Sequence, residues 1–169
     1  HGVREAAPTT LVLGRVEAVL LNCGVTTDAL RDVVRRAGLD ALTFQLAPLR
    51  AATRPRGETD FRGLVDKLAE VVSQLAVPCL LEESGAGIGF ETAKKLAAMP
   101  IAGLEVTGRG GATDMDDPAA HTPRLRAVRA ALADWGVSTA ESLVTSRLLF
   151  PSHVLVASGG MRSGQDVAK

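Results

Sequence analysis

Short apolar runs alternate with amphipathic stretches along the chain. The runs Leu11–Leu13, Ala41–Leu46, Val77–Leu81, Leu104–Val106, Trp135–Val137 and Val154–Ala157 predict strands. Val77–Leu81 has no polar alternation, the pattern of a strand covered on both faces. Val25–Ala37, Phe61–Leu75, Phe90–Met99, Arg124–Ala133 and Ala140–Leu149 predict helices, and another opens at Gln165. Val25–Ala37 is the best marked. Thr26 and Thr27 offer caps, Asp28 lies in the first turn, Arg35 and Arg36 lie in the last, and Gly38 follows. Phe61–Leu75 sets Leu64, Val65, Leu68, Val71, Val72 and Leu75 at helical spacing. The Pro/Arg/Gly-rich segment Pro48–Thr59 reads as a loop.

Strands alternating with helices imply an α/β fold with a parallel sheet and right-handed crossovers. A doubly wound sheet would satisfy this pattern. Each strand, however, runs into a polar or Gly-rich loop on what would be the same side, which favours a (β/α) TIM-type barrel with its site at the C-terminal face. A complete barrel has eight units in about 250 residues. Six units in 169 residues predict one barrel domain over 1–169, truncated at both ends, with edges that need cover.

Composition narrows the function classes. The 46% apolar content is that of a globular chain, and 19 Lys+Arg balance 19 Asp+Glu. Zero net charge gives no electrostatic reason for a nucleic-acid partner. Four Phe, one Trp and no Tyr leave little surface for base stacking or aromatic cages. No apolar run reaches the roughly 20 residues of a membrane span. The N-terminus has neither a start Met nor a signal-like apolar segment, so it reads as trimmed, and a cytoplasmic protein is expected. Cys23 and Cys79 lie in apolar runs, away from any zinc spacing, and read as reduced core residues. Trp135 reads as a packing residue.

Candidate chemistry gathers at strand ends. Gly108-x-Gly110-Gly111 follows one strand, and Ser158-Gly159-Gly160-x-Arg162-Ser163-Gly164 follows another and leads into a helix. Such loops serve either as tight turns or as phosphate cradles of backbone N–H groups. In the second, Gly-Gly, Arg162 and the helix start coincide, which favours phosphate. Gly85, Gly87 and Gly89 read as a turn. Glu82 and Glu83 end one strand, and Glu105 lies on the next. Adjacent strand residues point to opposite faces, so one of Glu82 and Glu83 faces the interior, where a carboxylate beside Glu105 could act as a general acid or sit in an ion pair with Arg50 or Arg109. Asp114-Met115-Asp116-Asp117 and His121 read as solvated loop, and His153 as structural.

The chain resembles type 2 isopentenyl-diphosphate isomerase, the FMN-dependent barrel. The resemblance is carried by Asp40-Ala41-Leu42, Pro55-x-Gly57-x-x-Asp60-Phe61, Val77-Pro78, Gly85-x-Gly87-Ile88, Glu91-Thr92-Ala93-Lys94-Lys95-Leu96, Gly108-x-Gly110-Gly111, Asp134-Trp135-Gly136-Val137-x-Thr139-x-x-Ser142-Leu143, and Ala157–Gly164 with Asp166–Lys169. It implies FMN and an isoprenoid diphosphate as ligands, held by Gly108, Gly110, Gly111, Ser158, Gly159, Gly160 and Arg162, in a homo-oligomer. It also marks changes. The family His-x-Asn and Gln-Glu positions read Gln45, Ala47, Arg50 and Ala51. The family Asn of the preceding strand falls on Gly14, the flavin-facing Lys on Glu82, and the Thr after the Gly-Gly turn on Ala112, unless Thr113 replaces it. Ala51 in place of the Mg²⁺-binding Glu makes a metal-assisted site doubtful. Arg50 could take the diphosphate directly. Ionised Glu82 would oppose the negative charge of a reduced flavin. The matching interior residue is Glu82, so Glu82, Arg50, Gln45 and Glu105 form the candidate catalytic set.

Three functions follow. The first is an isomerase-like enzyme of phosphorylated ligands with a shifted catalytic set. The second is a flavin-independent isoprenoid isomerase or cyclase using Glu82 or Glu105. The third is a non-catalytic binding or scaffold protein.

Overall fold

A computed structural model describes residues 2–53, 57–109, 122–132 and 134–168. Among them, β1 (Leu13–Glu17), β2 (Ala41–Leu46), β3 (Cys79–Glu83), β4 (Gly103–Val106) and β5 (Val154–Ala157) form one sheet, all parallel, in the order β1-β2-β3-β4-β5. The helices are α1 (Gly2–Ala6), α2 (Thr27–Ala37), α3 (Pro48–Thr53), α4 (Leu64–Gln74), α5 (Phe90–Leu96), α6 (Pro123–Ala131), α7 (Thr139–Leu149) and α8 (Gly164–Ala168), with a 3₁₀ turn over Ala18–Cys23.

The α/β class and the parallel sheet agree with the hydrophobic pattern. The truncated six-unit (β/α) TIM-type barrel does not. Among the described residues there are five strands rather than six, and β1 and β5 do not pair with each other, so the sheet is open at both edges. The missing strand is Trp135–Val137. Gly136 adopts φ 103° there, a left-handed conformation that ends an extended run, and only an isolated bridge joins Arg109 to Ser138. Trp135 is half-exposed rather than packed in the core.

Register explains the core. Val16, Phe44, Leu81, Leu104 and Leu155 lie opposite one another across the five strands. Phe44, Leu81 and Leu104 are fully buried, in one cluster with Leu64, Leu68, Val71 and Val72 of α4 and Ala93 and Leu96 of α5. The other sheet face carries the alternate residues: Arg15, Thr43, Leu80, Gly103 and Val154 in one row, then Glu17, Gln45, Glu82, Glu105 and Val156. Its flanks are open, with Leu13, Val154 and Val156 exposed, while Thr43, Gln45 and Glu82 in the middle are buried.

Local chemistry sets the element ends. Thr26 Oγ1 accepts from Ala29 N–H at the start of α2, and Gly38 closes it in the left-handed conformation. Ser138 caps α7 through Glu141 N–H. The segment after β2 does contain a helix, α3, because Pro48 fits a first helical turn and Leu49–Ala52 are compatible with helix. Cys79 is buried and its thiol is pushed up to about 11 by burial, whereas Cys23 is exposed rather than in the core. His153 packs edge-on against Phe150, ring centroids 5.2 Å apart. No described helix is long and apolar enough to cross a membrane.

Candidate functional site

The polar face of the sheet builds a charged cluster at its C-terminal end. Gln45 of β2 opposes Glu82 of β3, and Gln45 Nε2 donates to Glu82 Oε1 over 3.0 Å. The other carboxylate oxygen, Oε2, lies 2.7 Å from Arg15 Nε of β1 in an ion pair. Arg50 of α3 donates from Nη1 to Gln45 Oε1 over 3.4 Å. Glu105 of β4 sits opposite Glu82 in register and accepts from Ser158 Oγ over 3.1 Å. Glu82 and Gln45 are each only 4% exposed, while the Arg15 side chain is 56% exposed. Burial pushes the Glu82 carboxyl up from its ordinary value. Arg15 pulls it back, the Glu105 charge pushes it further up, and Gln45 and Arg50 pull it down.

Strand alternation sends Glu83 the other way. Its Oε1 accepts from Ala86 N–H, and its Oε2 accepts from Gly87 N–H and the Thr107 hydroxyl. Glu83 therefore shapes the turn after β3 and stays apart from the cluster. Gly14 likewise points to the packed face, where an added Cβ would collide with Leu39. Arg15 is the residue on β1 that reaches the cluster, and the sequence reading missed it. The alternation Leu13/Arg15/Glu17 against Gly14/Val16/Ala18 carried that signal.

A second feature is a cleft of about 610 Å³ between α7 and the segment after β5. Gly159 and Gly160, with φ of 80° and 77°, line it together with Arg109, Thr139 and Asp166. Thr139 Oγ1 is buried there without a hydrogen-bond partner. The remaining predicted ligand residues divide. Gly108 is spent on packing, since a Cβ would collide with the Ser138–Thr139 backbone at the start of α7. Ser158 ties its hydroxyl to Glu105. Arg162 is exposed and does not line the cleft. The Arg162 and Ser163 amides and the Ser163 hydroxyl donate to Asp166 Oδ2, each over 3.0 Å, so a carboxylate already holds the amides that the sequence reading gave to phosphate. Those hydrogen bonds hold Asp166 below the usual carboxylate range, the Arg162 amide first among them. Gly110, Gly111, Ala112, Thr113, Asp114–Asp117 and His121 lie outside the described residues.

The third feature is an apolar cavity of about 230 Å³ behind the ends of β1 and β2. The 3₁₀ turn, α3, α4 and α5 line it, Gln45 and Glu17 contribute to the lining, and it opens to solvent beside Val65. Ala51, where the resemblance placed a metal-binding carboxylate, is buried in this wall. Among the described residues no group of three His, Cys, Asp or Glu is placed to hold a metal ion.

In parallel α/β sheets ligands commonly bind at the C-terminal strand ends, and in this α/β fold Gln45, Glu82 and Glu105 lie there. Comparison with known sequences adds a more particular likeness. No family model matches the chain. It is similar to proteins named isopentenyl-diphosphate delta-isomerase: 40% identical over 169 residues to one from Synechococcus, 37% over 169 to one from Nostoc, and 39% over 168 to one from Mycolicibacterium gilvum. Each match covers 99% of this chain and 48 or 49% of the relative. The chain thus spans about half the length of the curated relatives it matches.

Proposed function

We propose that the chain belongs to an isopentenyl-diphosphate isomerase-like enzyme of diverged chemistry, binding an isoprenoid diphosphate at the C-terminal strand ends and moving protons with Glu82. The observation that carries this reading is the buried Glu82 carboxylate held between Gln45 and Arg15, with Arg50 on the same Gln45.

A diphosphate is a dense anion, and guanidinium groups bind it through two parallel hydrogen bonds. Arg50 and the half-exposed Arg15 supply them without a metal ion. A diphosphate that draws Arg15 aside weakens the attraction that lowers the Glu82 pKa, so ligand binding favours the protonated acid. Protonated Glu82 then gives its proton to the terminal alkene carbon, and Glu105, opposite it, takes one from the carbon on the far side of the cation. The double bond has moved, one proton has entered and one has left.

FMN is the second ligand of this reading. The orphaned Thr139 hydroxyl, Arg109 and the Gly159–Gly160 turn fit a phosphate group, with the Asp166 carboxylate in the same cleft working against it. When bound, FMN supplies a ring able to exchange electrons and protons. The proton path above needs only this chain's residues, which supports the flavin-independent alternative equally.

Incubation with isopentenyl diphosphate in deuterated water tests the proposal. Deuterium should enter the product, and Glu82→Gln should slow this at least about 100-fold, the usual worth of a general acid. Unchanged turnover in Glu82→Gln contradicts the assignment. Flavin absorbance surviving desalting separates the FMN reading from its alternative.

A further inference from the structure

We infer that Ser158 is a positioning residue of the proton path: its hydroxyl holds Glu105 as the proton acceptor opposite Glu82, and it is not a phosphate ligand. This rests on the proton-transfer reading above and deepens it.

Strand alternation puts Ser158 on the face of the charged cluster. Val156 of β5 lies opposite Glu105 in register, and Ser158 stands two residues further on, so the two share a face. Ser158 N–H donates to Val106 O over 3.0 Å, which fixes the residue against β4 just past the end of β5. Its neighbours Ala157 and Gly159 line the cleft beside α7, and Ser158 does not. The side chain thus turns away from the cleft and toward the carboxylates.

The contact suits a proton acceptor. Ser158 Oγ–H donates to Glu105 Oε1 over 3.1 Å, and a donor on one oxygen fixes the rotation of the whole carboxyl group. Among the described residues no other group hydrogen-bonds this carboxylate, so Oε2 is left to take a proton. Glu82 is held differently, buried between Gln45 and Arg15. In the reaction Glu82 gives its proton to the terminal alkene carbon and Glu105 Oε2 takes one from the carbon beside the cation. The serine proton stays on Oγ throughout. Water then returns a proton to Glu82 and removes one from Glu105, so no further reactant is needed.

Turnover of isopentenyl diphosphate in deuterated water tests the inference, with kcat and KM measured for the unaltered chain, Ser158→Ala, Ser158→Thr, Glu105→Gln and the double variant Ser158→Ala/Glu105→Gln. Urea unfolding checks that each variant folds. Ser158→Ala should lose about tenfold or more in kcat at unchanged KM, the scale of one charge-assisted hydrogen bond. Ser158→Thr keeps the donor and should restore most of kcat. Glu105→Gln should lose at least about 100-fold. Adding Ser158→Ala to it should cost nothing further, because the hydroxyl acts through that carboxylate. A raised KM with unchanged kcat in Ser158→Ala returns Ser158 to ligand binding and overturns the inference. So does a Ser158→Ala variant indistinguishable from the parent, a loss that Ser158→Thr does not restore, or one that adds in full to that of Glu105→Gln. Each of these leaves the Glu82 reading standing where Glu82→Gln is slow. An unaltered chain without turnover overturns that reading and this inference with it.

Discussion

Gln45 and Glu82 face each other in register on adjacent parallel strands, and Gln45 Nε2 donates to Glu82 Oε1 over 3.0 Å. Both side chains are buried, so water does not readily replace the hydrogen bond between them. Gln45→Leu keeps the volume and removes the donor. It should destabilise the fold by about 1–3 kcal/mol, the cost of leaving a buried polar group unmet. Urea unfolding measures it, and a loss under about 0.5 kcal/mol would show that the bond contributes little.

Glu82 makes stability depend on pH in a defined direction. Its folded-state pKa is raised, chiefly by burial, so the folded chain holds a proton that the unfolded chain releases. The folded state is therefore favoured at low pH and loses this advantage as pH rises from the ordinary carboxylate value through the raised one. Glu82→Gln cannot ionise, and the half-exposed Arg15 can turn to water. The variant should melt a few degrees above the parent at pH 8, about 1 kcal/mol being worth roughly 2–4 °C at this size. The difference should shrink toward pH 4. A variant less stable at pH 8 would mean that the Arg15 pair outweighs the cost of burial.

Thr139 offers a test of the cleft. Its Oγ1 is buried without a partner, so Thr139→Val removes an unmet polar atom and keeps the shape. The variant should be as stable as the parent or up to about 1 kcal/mol more stable, yet bind inorganic phosphate more weakly. If the hydroxyl served only the fold, stability would fall and phosphate binding would not change.

Asp166 should work against anions in the same cleft. Its carboxylate accepts the Arg162 and Ser163 amides and lines the cleft with Gly159 and Gly160. Asp166→Asn removes a negative charge and should strengthen phosphate binding by about threefold at low salt, less at high salt. Weaker binding would mean that Asp166 chiefly holds the turn in shape.

Much of this was legible in the sequence. Strand alternation placed Glu82 and Glu83 on opposite faces, and apolar periodicity located α2, α4 and α7 to within a few residues. The open five-stranded sheet was not legible, because polar and Gly-rich loops at the strand ends suit a barrel and an open sheet alike, and Trp135–Val137 read as a sixth strand. Three apolar-looking residues satisfy the pattern, and the left-handed Gly136 that breaks it is a matter of backbone conformation. Arg15 was missed because the run Leu11–Leu13 put the first strand two residues early, leaving Arg15 and Glu17 outside it. Asp166 was missed although Ser163-x-x-Asp166 is a capping-box pattern, because the segment was read for a phosphate site rather than for its helix cap.

The central claim is that the Gln45–Glu82 cluster binds an isoprenoid diphosphate through its arginines. Calorimetric titration of isopentenyl diphosphate into the unaltered chain and Arg50→Ala tests it most directly. Saturable binding is predicted, weakened about tenfold or more in the variant, since charge-assisted pairs are the strong ones. No binding, or equal binding in both proteins, would contradict it.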